Sequence, residues 1–157
     1  MKLEKTAAFA EIFSSVAIVV TLVILVFEVR GNTNTQQIAN RQAIALRGQE
    51  MAILLIENPE LNEALSKGRS GEDVTEAEQR IISNWVDAHH RLTEEAYNLF
   101  SDGQLEEKDW NIRAGMMLRN LSTETSRQIY YTKRDNGWFD LGYTNWMDQA
   151  LLETYGE

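Results

Sequence analysis

The chain has 157 residues with one Pro, no Cys, 43% hydrophobic and 25% charged residues, and a net charge of −9. That length suits one domain, or one domain with an appendage, and the ordinary hydrophobic content excludes wholesale disorder. The scarcity of Pro and Gly disfavours a many-turned β-sandwich or barrel. The missing Cys excludes a disulfide framework, a thiolate nucleophile, an iron–sulfur cluster and a cysteine zinc site, and the negative charge argues against nucleic acid as a partner.

The averages hide a partition. Residues 1–35 balance Lys2, Lys5 and Arg30 against Glu4, Glu11 and Glu28, so the whole −9 lies in residues 36–157. Ile12 to Phe27 carries no charge, and extending back to Thr6 adds only Glu11. A span over about residues 7–28 supplies the roughly 20 mainly apolar residues that a bilayer needs. A cleaved signal peptide would have a shorter apolar core followed by small residues at its cleavage site, whereas here the run is long and continues as VFEVRGNTN. A buried core helix fits poorly too, because every face from Val16 to Phe27 is apolar and such a helix belongs in lipid or in a large core. Residues 1–35 therefore read as a membrane anchor, with the bilayer as a partner, and residues 36–157 as an acidic soluble domain. Lys2 and Lys5 on one side nearly balance Arg30, Arg41 and Arg47 on the other; the positive-inside count is read as a cytoplasmic C-terminal part.

Glu11, Ser14, Thr21 and Glu28 are spaced by 3, 7 and 7 residues, which places them on one arc of a helix. Small or polar residues along one stripe are what helices use to associate in lipid, so the stripe points to a homo-oligomer or to other membrane subunits. The alternative is that both hydroxyls bond their own helix and both carboxylates sit at the interfaces.

Downstream, GNTNTQQ either ends the first helix or continues it as an exposed section. Gln36 to Glu57 shows helical spacing through Ile38, Ala45, Met51, Ala52 and Leu55. Asn58-Pro59 is a stop and restart, followed by a short helix through Leu61 and Leu65 and a loop over Lys67 to Asp73. A long helix begins near Thr75, where T-E-A-E forms a capping box with Glu78. Its apolar line runs through Ile81, Trp85, Ala88 or His89, Leu92, Ala96 and Leu99, and Asp102-Gly103 ends it. Further helices cover about Glu106 to Leu121, Thr123 to Lys133 and Leu141 to Thr154. The last of these is expected to bury Trp146, Met147, Ala150 and Leu151. No strand-type alternation persists, so the fold class is all-α: an N-terminal transmembrane helix followed by a small helical bundle.

The span ending in FEVRGNTNTQQ, the break at ENPEL, and the later W-x4-H…YNLFSDGQLEEKDW resemble a widespread family of bacterial small proteins with one N-terminal span. The similarity covers Glu11 to about Leu152, with Glu28 standing where a Gln is more usual. It implies a single-pass protein of the bacterial inner membrane with a C-terminal helical domain, and it implies no activity.

The densest ionisable cluster is Asp87, His89, His90, Glu94 and Glu95. Asp87, His90 and Glu94 share a helix face through i,i+3 and i,i+4 spacing and form the candidate metal or ligand set. A di-iron bundle would need a second carboxylate-x-x-His pair, which two adjacent histidines cannot supply, and H-E-x-x-H is absent. The bland reading puts His89 on the apolar seam and His90, Arg91 and Glu94 on the solvated face. Phosphate loops, dinucleotide fingerprints and nucleophile elbows are missing. Gly68-Arg69-Ser70-Gly71 reads as a plain loop, since Glu72, Asp73 and Glu76 would repel an anion there.

Aromatic residues concentrate late in the chain. They fill a small core, line a pocket or dock a partner, with Trp138, Phe139, Tyr143 and Trp146 the candidate partner surface. Two functional classes follow. One is a non-catalytic membrane-anchored module acting by self-association or as an accessory subunit, with no cofactor. The other is a small-ligand or metal-binding membrane protein, or enzyme, using Asp87, His90 and Glu94.

Overall fold

The computed structural model describes residues 2–156, with side chains over residues 14–156. These residues form helices and no strand: α1 (Lys2–Glu57), α2 (Pro59–Ser70), α3 (Glu76–Ser101), α4 (Glu107–Asn120), α5 (Glu124–Asp135) and α6 (Leu141–Tyr155). The all-α expectation holds, with a long apolar N-terminal helix preceding a helical bundle. The chain divides into two units, Met1–Ile38 and Ala39–Glu157.

The first unit consists of α1 residues. Among the described residues, α1 alone is long and apolar enough to cross a membrane, and none of its most apolar window is buried. Its large side chains from Val16 to Val29 are all at least 48% exposed. The Thr21 hydroxyl donates to the Ala17 carbonyl at 2.9 Å, the back-bonded alternative for that residue. Thr33 and Thr35 donate likewise to Val29 and Gly31, each at 3.0 Å. These bonds satisfy hydroxyls that would otherwise compete with the helix, and residues 28–37 are helical. Ser14, Thr21 and Glu28 of the polar stripe are exposed; the Glu11 side chain lies outside the described residues.

In the second unit, α2, α4, α5 and α6 all pack against α3. Local chemistry sets the ends of these elements. Asn58 caps α2 by accepting from the Leu61 amide at 3.0 Å, with Pro59 at the first helical position. The helix continues to Ser70, so the loop expected from Lys67 is shorter than predicted. Lys67 binds Glu63 and Glu78, Lys67 and Arg69 suit the negative helix end, and Gly71 takes the left-handed conformation (φ 75°) that terminates it. Thr75 opens α3 with the expected capping box: its hydroxyl accepts from the Glu78 amide at 3.2 Å, while the Glu78 carboxylate accepts from the Thr75 amide at 2.7 Å. Gly103 (φ 70°) closes the other end, and the Gln104 amide reaches back to the Leu99 carbonyl at 2.7 Å. Asp140 caps α6 by accepting from the Gly142 amide at 2.7 Å.

The core forms two clusters. The larger joins Leu61 and Leu65 of α2, Ile82 and Val86 of α3, Met117 and Leu121, Tyr130, and Tyr143, Met147 and Leu151 of α6. The smaller joins Ala96, Leu105, Trp110 and Ala114. On α3 the buried residues are Ile82, Trp85, Val86, His89, His90, Leu92, Thr93 and Ala96, a wider band than the single predicted seam. On α6, Tyr143 is buried, whereas Trp146 and Ala150 are only half-buried.

Removing the α3 cap with Thr75→Ala lowers the unfolding free energy of the folded unit by about 1 kcal/mol. Urea denaturation followed by circular dichroism reads this, against Ser66→Ala on an exposed face of α2, which shifts stability by less than about 0.5 kcal/mol.

Candidate functional site

The residues singled out from the sequence do not converge. Asp87 pairs with Lys133 of α5, and its Oδ1 is buried without a partner. Glu94 accepts from the Asp140 amide at 2.6 Å and from Arg91 at 3.1 Å. His90 is fully buried rather than solvated, which corrects the bland reading of its face. Its Nδ1 meets the Tyr143 hydroxyl at 2.9 Å. Its ring stacks on Tyr130 with centroids 5.1 Å apart, and Phe139 lies at 5.0 Å. Asp87 is held from α5, His90 from α6, and Glu94 from the α6 cap and from its own helix. Among the described residues, no three His, Asp or Glu side chains gather as a metal ion requires.

The expected aromatic surface also dissolves into the core. Tyr143 is fully buried, and Phe139 and Trp146 pack against the larger cluster. Trp146 meets Trp110 edge-on at 4.6 Å. Trp138 alone of the four is exposed, and it lies under the Lys133 ammonium at 4.4 Å from the ring centroid. Bulky rings fill a small core because they carry large apolar area per residue.

What the tertiary structure does assemble is a groove within the folded unit. It is lined by α1 (Ile44, Met51, Leu55), by Trp85 and His89 of α3, and by Ile112, Arg113 and Met116 of α4, and has a volume of about 810 Å³. Arg41, Arg69 and Arg119 also line it, together with Asp109. Ile112 and Met116 are exposed large apolar side chains, so the α4 wall is greasy as well as cationic. Arg41 holds Asp109 at 3.3 Å, and the second Asp109 oxygen is buried without a partner. The Trp85 indole nitrogen is likewise buried and unpartnered.

Arg113 is the unusual member, only 6% exposed. Its Nε donates to the Thr93 hydroxyl at 3.1 Å and its Nη2 to the His89 carbonyl at 3.0 Å. Both acceptors are neutral. Burial brings the guanidinium down to about 10, which still leaves it charged at neutral pH. The beginnings of this arrangement are local: Thr93 returns its own hydroxyl to the His89 carbonyl at 2.7 Å, so one turn of α3 presents two oxygens to α4. Sequence reasoning passed over Arg113, because a lone basic residue in a helix with Lys108 and Arg119 carries no sign of burial.

His89 donates from Nδ1 to the Trp85 carbonyl at 3.1 Å, leaving Nε2 unprotonated. Burial, followed by the positive charge of Arg113, holds its pKa down to about 4. Burial and neighbouring positive charge hold His90 to about 3. Both rings are neutral at pH 7, and an unfolded histidine protonates near 6.5. Below that pH the unfolded chain therefore binds more protons than the folded one, and stability falls as pH falls. Between pH 6.5 and 5 the loss is about 2 kcal/mol per histidine. Urea midpoints at pH 7 and pH 5 measure it, and His90→Gln narrows the gap between them by about half.

Comparison with protein-family models, with curated proteins and with solved structures finds no match to this chain.

Proposed function

We propose that this chain is a single-span membrane protein without a catalytic role, whose acidic helical unit works by association, either with its own copies or as an accessory subunit of a membrane complex. The observation that carries the reading is the bare apolar stretch of α1. Eleven large apolar side chains between Val16 and Val29 are exposed. Transfer out of water is worth about 1.5–3 kcal/mol for a fully buried side chain of this kind. Even at half that value, the sum matches or exceeds the roughly 5–15 kcal/mol net stability of a whole domain. A chain leaving this stretch in water would aggregate; lipid removes the penalty.

The resemblance to bacterial single-span proteins accords with an inner-membrane address and a cytoplasmic folded unit. The stripe of Glu11, Ser14, Thr21 and Glu28 supplies polar groups for contacts between spans, where an unshared carboxylate is costly. Asp87, His90 and Glu94 support no second reading: Lys133 holds Asp87, Tyr143 holds His90, and the Asp140 amide holds Glu94. Although Asp87 Oδ1 and His90 Nε2 are left unpartnered, the three do not gather as a metal set among the described residues.

Membranes carrying the full chain retain it after alkaline carbonate extraction, and cross-linking in those membranes gives a defined oligomer. Glu11→Leu with Thr21→Leu disperses the oligomer while leaving membrane retention intact. Release of the chain by carbonate would refute the anchor, and an oligomer untouched by the double change would refute the stripe.

A further inference from the structure

The cations of the folded unit are unevenly matched to its acids. Arg47 is held by Glu95, Lys67 by Glu63 and Glu78, Arg91 by Glu94, Lys133 by Asp87, and Arg134 by Asp135 and Asp148. Arg80 and Lys108 have carboxylate partners as well. Arg127 is engaged by the Leu121 and Ser122 carbonyls. In a chain with 24 acidic residues, Arg69, Arg113 and Arg119 nevertheless have no carboxylate within ion-pairing distance among the described residues. All three line the same groove, which α1, α3 and α4 form with Arg69 reaching it from the end of α2.

Surface cations can rely on water, but a buried guanidinium requires a counter-charge or a full set of hydrogen bonds. Arg113 has two bonds to neutral oxygens and no protein partner for Nη1 among the described residues. Apolar side chains make up much of the remaining wall, Ile44, Met51 and Leu55 on one side and Ile112 and Met116 on the other, with Gln49, Asp109 and Asn120 as its polar members. The combination calls for an occupant with a negative head and a hydrocarbon body. We propose that this groove binds a long-chain carboxylate, a fatty-acid-like monoanion whose head meets the unpaired arginines and whose tail covers the apolar wall.

Three observations select this occupant. The groove volume of about 810 Å³ lies in the range of roughly 300–1,000 Å³ typical of small-ligand pockets, and its concavity would be left unfilled by a flat bilayer surface. The Asp109 carboxylate in the same lining opposes a dianionic head more than a monoanionic one. The planar fork of an arginine matches a carboxylate. The inference stands on the folded unit alone and does not depend on how α1 meets a membrane.

The test uses the full chain in nanodiscs of neutral phosphatidylcholine, with a long-chain fatty acid carrying a photoreactive group in its tail as the probe. Cross-linked sites are mapped by mass spectrometry. Labels are expected on residues 44–55 and 112–116, displaced at least tenfold better by palmitate than by hexadecanol. Arg113→Met is expected to cut groove labelling about tenfold. Should that variant fail to fold, the paired change Arg69→Gln with Arg119→Gln, at exposed side chains, decides the matter with a several-fold loss. Labels confined to residues 14–30 would overturn the proposal, as would equal displacement by hexadecanol. Displacement by anionic phospholipid vesicles in preference to palmitate would overturn it in favour of docking on a bilayer surface.

Discussion

The folded unit depends on α3 being buried on more than one side. Four helices pack against it, so consecutive positions must turn inward: Trp85 with Val86, His89 with His90, Leu92 with Thr93. Neighbouring residues point about 100° apart on a helix, and an apolar stripe one face wide cannot meet that demand. Part of the second face is therefore polar, and each polar member needs a partner from an adjacent element. His90 takes the Tyr143 hydroxyl of α6. Thr93 and the His89 carbonyl together take the Arg113 guanidinium of α4. These contacts fix how α4 and α6 sit on α3 more specifically than interchangeable apolar packing would.

The same demand explains what could be read from the sequence. Helix ends were legible because a cap is a local device: the Thr75 box, Asn58 before Pro59, and Gly103 each act within a few residues. The apolar run of α1 was legible because it needs no partner to be recognised. The second face of α3 was not. Periodicity registers one hydrophobic stripe, and His90 between His89 and Arg91, with Glu94 one turn on, has the spacing of a solvated face. Only the arrival of Tyr130, Phe139 and Tyr143 from α5, α6 and the connection between them makes that face interior. The late aromatic residues left core, pocket and partner surface open, and the core takes most of them. Trp138, Phe139, Tyr143 and Trp146 look like a surface patch when counted along the chain, yet three of them are drawn inward by the rings on α3, α4 and α5. The extension of α2 to Ser70 was hidden because its last turn is stabilised by Glu78, eleven residues away from Lys67.

The groove was invisible for a further reason. Arg41, Arg69, Arg113 and Arg119 come from three helices, and no motif spacing links them. Their common feature is a negative one, the lack of carboxylate partners for three of the four, and that emerges only after the other cations have been paired. The −9 of the whole chain argued against nucleic acid as a partner and gave no hint of a site for a small anion. Net charge acts through a field that salt screens over about 10 Å at 0.1 M, whereas a head group at a guanidinium sits within 3 Å or so of it. Over that distance the local arginines outweigh the acidic surface, and the overall sign of the protein says little about what the groove selects.

The balance of terms also settles how such a site would discriminate. A charge-assisted hydrogen bond contributes about 1.5–3 kcal/mol net, and each methylene withdrawn from water adds about 0.8 kcal/mol. About two to four methylenes therefore match one such bond, and a long tail running along Ile44, Met51 and Leu55 outweighs a head that makes two or three of them, before the cost of ordering the chain. Affinity lies in the tail and selectivity in the head. A short anion such as acetate gains too little to compete with the water around Arg69 and Arg119. A neutral amphiphile of equal length would leave the buried Arg113 without its counter-charge. The exposed apolar wall and the unpaired buried cation, each unfavourable by itself, become complementary only toward a ligand that carries both features.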